Sequence, residues 1–202
     1  FDEVFSFRHL YLSAKKCSKG AYWKSSTQRY IGDLIPNVAL TLLSLKNGTF
    51  IHRGFHEFYI MERGKKRHIR SVHISERTVQ KCLCDYCIVP IYSASFIYDN
   101  SASLKHRGMD FALRRMVYHL ERHFRKHGLS GGILIYDFKS FFDDAPHAPL
   151  LREAERRLHD DRVREFTTAV SQTLAPWASA WAVRSARQTL CCCRVRLTTI
   201  SK

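Results

Sequence analysis

After two glycines, Gly131 and Gly132, the chain runs Ile133-Leu134-Ile135-Tyr136 and then meets a carboxylate at Asp137. A short apolar run between a chain breaker and an acid is the pattern of a buried strand, and it predicts a strand over 133–138. Helical periodicity flanks this run on both sides. The expected fold class is therefore α+β, with helices laid against strands around a shared core.

Upstream, residues 6–18 and 22–46 read as helices. The second carries Ile31, Leu34, Ile35, Val38, Leu42 and Leu45 at helical spacing, with Pro36 placed to kink it. Asn47–Gly48 ends it as a turn. Phe55 to Met61 favours a strand, Arg63-Gly64-Lys65-Lys66 a polar hairpin tip, and Arg67 to His73 the returning strand. Ser75 is the expected N-cap of a helix running to about Ser95. A polar loop, Asp99 to Gly108, leads to a helix at 109–127 rich in Arg and His. Pro146–His147 opens helices from about 148 to 173, and no internal repeat is visible.

With 202 residues, 45% of them hydrophobic, the chain can bury the core of one ordinary domain. Lys and Arg total 33 against 18 acids, a net charge of +15. Such a field attracts polyanions, and nucleic acid is the expected partner. Acidic proteins and anionic lipid stay open on charge alone. No apolar run approaches membrane-spanning length and no signal peptide opens the chain, so a membrane partner is not expected. The chain opens on Phe1 rather than Met, and an amino-terminal segment is expected to precede it. Cys82, Cys84 and Cys87 share one helical stretch, and Cys191 to Cys193 are consecutive. Neither pattern is a disulfide framework, which implies a reducing, cytoplasmic setting. A structural zinc site wants four ligands and usually a knuckle turn, so the first trio reads as core thiols.

An acid at the end of a rigid strand suits chemistry that fixes divalent cations with oxygen ligands, and it equally suits an Asp capping the next turn. The stretch Asp137-Phe138-Lys139-Ser140-Phe141-Phe142-Asp143, followed by Pro146–His147, resembles the first catalytic motif of bacterial reverse transcriptases of the group II intron, retron and diversity-generating-retroelement type. The resemblance implies RNA-directed DNA polymerase activity with Mg²⁺. Asp137 would be the catalytic, metal-binding aspartate of the palm, and the backbone of Phe138 would offer a further metal ligand. Phe142 would be the steric gate that selects deoxynucleotides, though plain core packing also accounts for it. Asp143 and His147 match family positions and also fit a structural role at a helix start.

A second stretch, Lys66-Arg67-His68-Ile69-Arg70-Ser71-Val72-His73-Ile74-Ser75-Glu76-Arg77-Thr78-Val79-Gln80, resembles the fingers motif of the same family without gaps. It implies a triphosphate site at Lys66 and Arg67, with Lys65 and Arg70 behind them. His68 replaces the family's usual Pro, and Arg70 its usual Gly. A third stretch, Phe96 to Gly108 and the helix bearing Arg114–Arg115, resembles the loop ahead of the palm. It implies nucleic-acid contacts by Lys105, Arg107, Arg114 and Arg115, and a plain surface loop fits the same residues. The implied architecture is right-hand fingers and the start of the palm over 1–130, a palm segment with the first catalytic motif over 131–174 and an incomplete palm sheet. The implied partners are an RNA template, a DNA or RNA primer and a deoxynucleoside triphosphate. A non-catalytic RNA-binding module on the same scaffold is the alternative.

Beyond about Leu174 the resemblance stops. The family's glycine-rich motif and its Tyr-x-Asp-Asp hairpin do not follow, and Trp177 to Arg194 has no amphipathic logic. A back-translation offers a reason. When each codon's third base is read with the next codon's first two, Trp-Ala at 177–178 and 181–182 must give Gly. Cys-Cys, occurring twice at 191–193, must give Leu. The remaining codons permit Gly-Leu-Gly-Leu-Gly-Ser-Gln-Ile-Ser-Gln-Thr, which resembles the family's glycine-rich motif. A frameshift near 174–177 is expected, leaving 175–202 an out-of-frame tail and this fragment inactive by itself, since one carboxylate cannot hold two metals. The gene's nucleotides test this. They are expected to encode the glycine-rich run in the shifted frame and a Tyr-x-Asp-Asp run downstream; codons incompatible with that reading would refute it.

Overall fold

A computed structural model describes residues 1–101, 104–135 and 147–173. Among these the elements are α1 (Phe7–Ser18), α2 (Ser25–Gly32), α3 (Leu34–Lys46), β1 (Phe55–Glu62), β2 (Lys65–Val72), α4 (Ile74–Leu83), a π-helical turn (Cys84–Ile88), α5 (Val89–Ser93), α6 (Met109–His127), α7 (His147–Arg157) and α8 (Asp161–Thr173). The chain is mixed α+β, as its patterning implies. It divides into two compact units, one holding Phe1–Ile91 together with α8, the other the described part of Tyr92–Arg157.

In the first unit, α1 is capped by Ser6, whose side chain accepts from the His9 amide at 3.3 Å. It buries Leu10, Ser13, Ala14 and Ser18, one stripe at helical spacing. Against it α4 buries Ile74, Thr78, Val79, Cys82 and Leu83. Thiols tie α4 to α1 and to the turn before α1: Cys82 Sγ donates to the Val4 carbonyl at 3.2 Å and Cys17 Sγ to the Arg77 carbonyl at 3.4 Å. Burial pushes the Cys82 thiol up to about 12 and the Cys87 thiol up to about 11, so both are protonated at neutral pH and pack as small core groups. Asp85, in the π turn, ties the same helices by pairing with Lys16 at 2.8 Å and Lys81 at 2.6 Å. The wide turn closes with the Val89 amide donating to the Cys84 carbonyl. Pro90 has no amide to give and crowds the carbonyl four residues back, which a widened turn accommodates.

α8 seals the other side of this core. Phe166 packs edge-on against Phe5 at 5.3 Å between ring centres and also meets Phe1 and Phe50. Val170 packs with Val72 at the base of the hairpin. In the second unit, α7 is held to α5 by the Tyr92 hydroxyl, which donates to the Glu153 carbonyl at 3.3 Å, and by the Arg157 guanidinium, 5.0 Å from the Tyr92 ring centre.

Four local expectations are corrected. The helix expected over 22–46 is two helices broken at Asp33, because an unbroken helix would drive the Pro36 ring into the Gly32 carbonyl; Pro36 instead sits in the first turn of α3. The cap of α4 is His73, whose Nδ1 accepts from the Ser75 amide, rather than Ser75 itself. Lys65 and Lys66 belong to β2; the turn is only Arg63–Gly64, both at positive φ (50° and 76°), the two-residue geometry that matches strand twist. The described part of the strand expected at 133–138 has no regular structure, and Ile133, Leu134 and Ile135 are exposed. A strand exists only through its pairing, and β1–β2 is the one pairing among the described residues.

One buried acid fixes where the hairpin springs from. Glu76, only 1% exposed at the start of α4, accepts a hydrogen bond from the Arg53 amide and faces His52 Nδ1 at 3.7 Å. Replacing it empties a buried site and leaves the part-buried Arg53 amide without its acceptor. Glu76→Ala is expected to cost about 2–3 kcal/mol in urea unfolding, and Glu76→Gln, which keeps an acceptor, distinctly less. Equal losses would refute the role given to that hydrogen bond.

Candidate nucleic-acid interface

The hairpin alternates by the pleat, so neighbours in sequence lie on opposite faces. The register pairs Glu57 with Arg70, Tyr59 with His68, Ile60 with Arg67, Met61 with Lys66 and Glu62 with Lys65. One face therefore carries Lys66 and Arg70, the other Lys65 and Arg67. The four cations expected to grip one triphosphate are split into two pairs, and Lys66 and Arg67 do not share a face.

Each pair holds one engaged arginine and one lysine. Arg67 Nε lies 2.8 Å from Glu62, and Arg70 Nε lies 3.0 Å from Glu57, which also meets His68 Nε2 at 3.1 Å. Lys66 Nζ sits 4.3 Å from the centre of the Tyr59 ring, on whose face His68 stacks at 4.8 Å. Among the described residues Lys65 forms no ion pair, and its ammonium is exposed. An exposed pair such as Arg67–Glu62 contributes little to stability, so an incoming phosphate can displace the carboxylate at small cost.

The loop before α6 and the helix itself are joined by the other expected cations. Arg107 donates to the carbonyls of Tyr98 and Asn100 and lies 4.7 Å from the Phe111 ring centre. Arg115 donates to Asp99, which also meets His119 Nε2 at 2.6 Å. The Arg115 hydrogen bond holds the Asp99 carboxyl below the usual carboxylate range. Arg107 and Arg115 thus hold the loop to the helix, whereas Lys105 and Arg114 are exposed and form no ion pair among the described residues. Two of the quartet are thus engaged within the fold and two are left exposed.

Two structural organisers escaped the sequence reading, Glu76 and Asp99. Glu76 stands three residues after the cap, but His73 is not the Ser or Thr of a capping box and Glu76 takes the Arg53 amide 23 residues back, so local spacing does not announce it. Nor does local spacing announce Asp99, because its partners lie 16 and 20 residues on.

Asp137, Phe138 and Phe142 lie outside the described residues. Among the described residues no group of three or more His, Cys, Asp or Glu is placed to hold a metal ion, and no helix is long and apolar enough to cross a membrane. No family model and no curated protein matches the chain.

Asp99 has a pH signature. Its carboxyl titrates lower in the folded state than in the unfolded chain, so its contribution is present above the unfolded value of about 3.9 and is lost as pH falls through the lower folded value. Asp99→Asn is expected to melt earlier than the parent at pH 7, with the gap closing below about pH 3.9. A gap that stays constant from pH 7 to pH 3 would show that Asp99 does not act through its charge.

Proposed function

We propose that this chain is the fingers and the leading palm segment of a bacterial reverse transcriptase, an RNA-directed DNA polymerase of retroelement type that adds deoxynucleotides to a primer on an RNA template. The observation that carries the reading is the run Lys66–Gln80. It resembles the fingers motif without gaps, apart from His68 and Arg70, and it folds as a basic strand passing through His73 into a helix anchored by a buried acid. A hairpin rooted in that way presents cations on a stiff arm, which is what holding a triphosphate in register requires.

In this reading Lys65 and Arg67, or Lys66 and Arg70, meet the triphosphate from one face of the arm. Lys105 and Arg114 supply template contacts, and Arg107 and Arg115 hold the loop that carries Lys105. Asp137, with the Phe138 backbone, would hold Mg²⁺, which supplies charge neutralisation during nucleotidyl transfer. Phe142 would gate the sugar. The setting is the bacterial cytoplasm.

The non-catalytic RNA-binding module is favoured by a different observation, the exposed cations of β2 and α6, which need no metal. One substitution separates the two readings. In the polypeptide read in the shifted frame after the break, Asp137→Ala is expected to abolish Mg²⁺-dependent primer extension and leave RNA retention unchanged. Extension that survives Asp137→Ala would refute the polymerase reading, and absence of salt-dependent RNA binding would refute both.

A further inference from the structure

The short turn between α1 and α2 holds its backbone tightly and its rings loosely. Ala21 is buried, its amide donates to the Ser18 carbonyl at 2.9 Å, and its carbonyl accepts from the Lys24 amide at 3.0 Å. The two residues between are Tyr22, 58% exposed, and Trp23, 77% exposed. A large aromatic is costly to leave in water, and two in succession on an anchored turn are not explained by packing. Lys24 connects this turn to the hairpin: its ammonium lies 5.2 Å from the Trp23 ring centre and 5.9 Å from that of Phe58. Phe58 lies on the hairpin face that carries Arg67 and Lys65, spaced along the arm at about 7 Å per pleat.

We propose that Tyr22, Trp23, Lys24 and Phe58 form a stacking platform for unpaired nucleotides, with Arg67 and Lys65 taking the phosphates of the same strand. Aromatic faces interleaved with cations are the recognition chemistry of single-stranded nucleic acid, since every base offers a π face and every linkage a charge. A membrane surface would instead want a continuous apolar helix face beside the cations, and this patch is built from a turn and a pleated arm. The inference rests on the nucleic-acid reading above and is independent of the polymerase chemistry at Asp137.

The test uses the full chain, an unstructured oligoadenylate RNA, a duplex RNA of equal length and anionic vesicles. Oligoadenylate is expected to quench tryptophan fluorescence in the parent. The quench should vanish in Trp23→Phe, which retains Trp177 and Trp181 as internal controls. Trp23→Ala is expected to weaken oligoadenylate binding about tenfold, Trp23→Phe much less, and duplex binding should hold in both. Circular dichroism matching the parent shows that the variants are folded; should Trp23→Ala not fold, the Trp23→Phe quench still decides. The platform is overturned by unchanged oligoadenylate affinity in folded Trp23→Ala, by equal losses on single strand and duplex, by a quench that persists in Trp23→Phe, or by a Trp23 quench with vesicles and none with RNA. Loss of extension in Asp137→Ala bears only on the polymerase reading.

Discussion

The carboxylate of Glu76 is where strand, loop and helix meet. It sits in the first turn of α4, where the helix's own amides already favour negative charge, and it reaches out to take the amide of Arg53 ahead of β1. A buried charge without partners would be strongly destabilising, so the loop must close on it. That closure sets where β1 begins. The register then sets the facing of every cation on β2, from Val72 in the core to Lys65 in solvent. The hairpin is an arm with a hydrophobic root and a charged tip, and the root is held by the Glu76 hydrogen bond and by Val72 packed on Val170 as well as by the sheet, since two strands alone are marginal in water.

How much of this the sequence announced depends on the range of the signal. The extent of α6 was legible to the residue because Gly108 and Gly128 flank a periodic run. Its burial was not. The stripe Met109, Leu113, Met116, Val117, Leu120 and Phe124 marks an apolar face, yet no α6 residue is buried in the described structure. Periodicity states which side of a helix avoids water and says nothing of what covers it. The hairpin is legible from its turn, but the charge of Lys65 and Lys66 resembles turn composition and hides their place in β2. A two-residue turn needs only Arg63 and Gly64. The π turn was not legible, since a single wide turn leaves the apolar pattern of the helix nearly intact.

The candidate site was legible as a set of residues and not as a geometry. Listing Lys65, Lys66, Arg67 and Arg70 as one cluster treats the chain as a string of charges. Pleating converts that string into two half-sites on opposite faces. In the same way charge alone marks Arg107 and Arg115 as nucleic-acid contacts, whereas planar guanidinium groups are well shaped to bridge carbonyls, carboxylates and rings within one protein. Both have such partners here.

In the proposed nucleic-acid reading the engaged and the exposed cations play different parts. Arg67, Arg70, Arg107 and Arg115 are engaged within the fold, while Lys65, Lys105 and Arg114 stand exposed without ion pairs among the described residues. Exposed cations supply long-range attraction, which is salt-sensitive and indifferent to shape. The engaged hairpin arginines supply the opposite property. A phosphate that takes Arg67 from Glu62 must lie where the fork already points, and it leaves a carboxylate behind that repels any anion out of register. In the proposed nucleic-acid reading the acids of the hairpin therefore act as selectors. They lower the arm's gross attraction for polyanions and raise the penalty for a misplaced one, which is how a basic surface becomes discriminating rather than merely sticky.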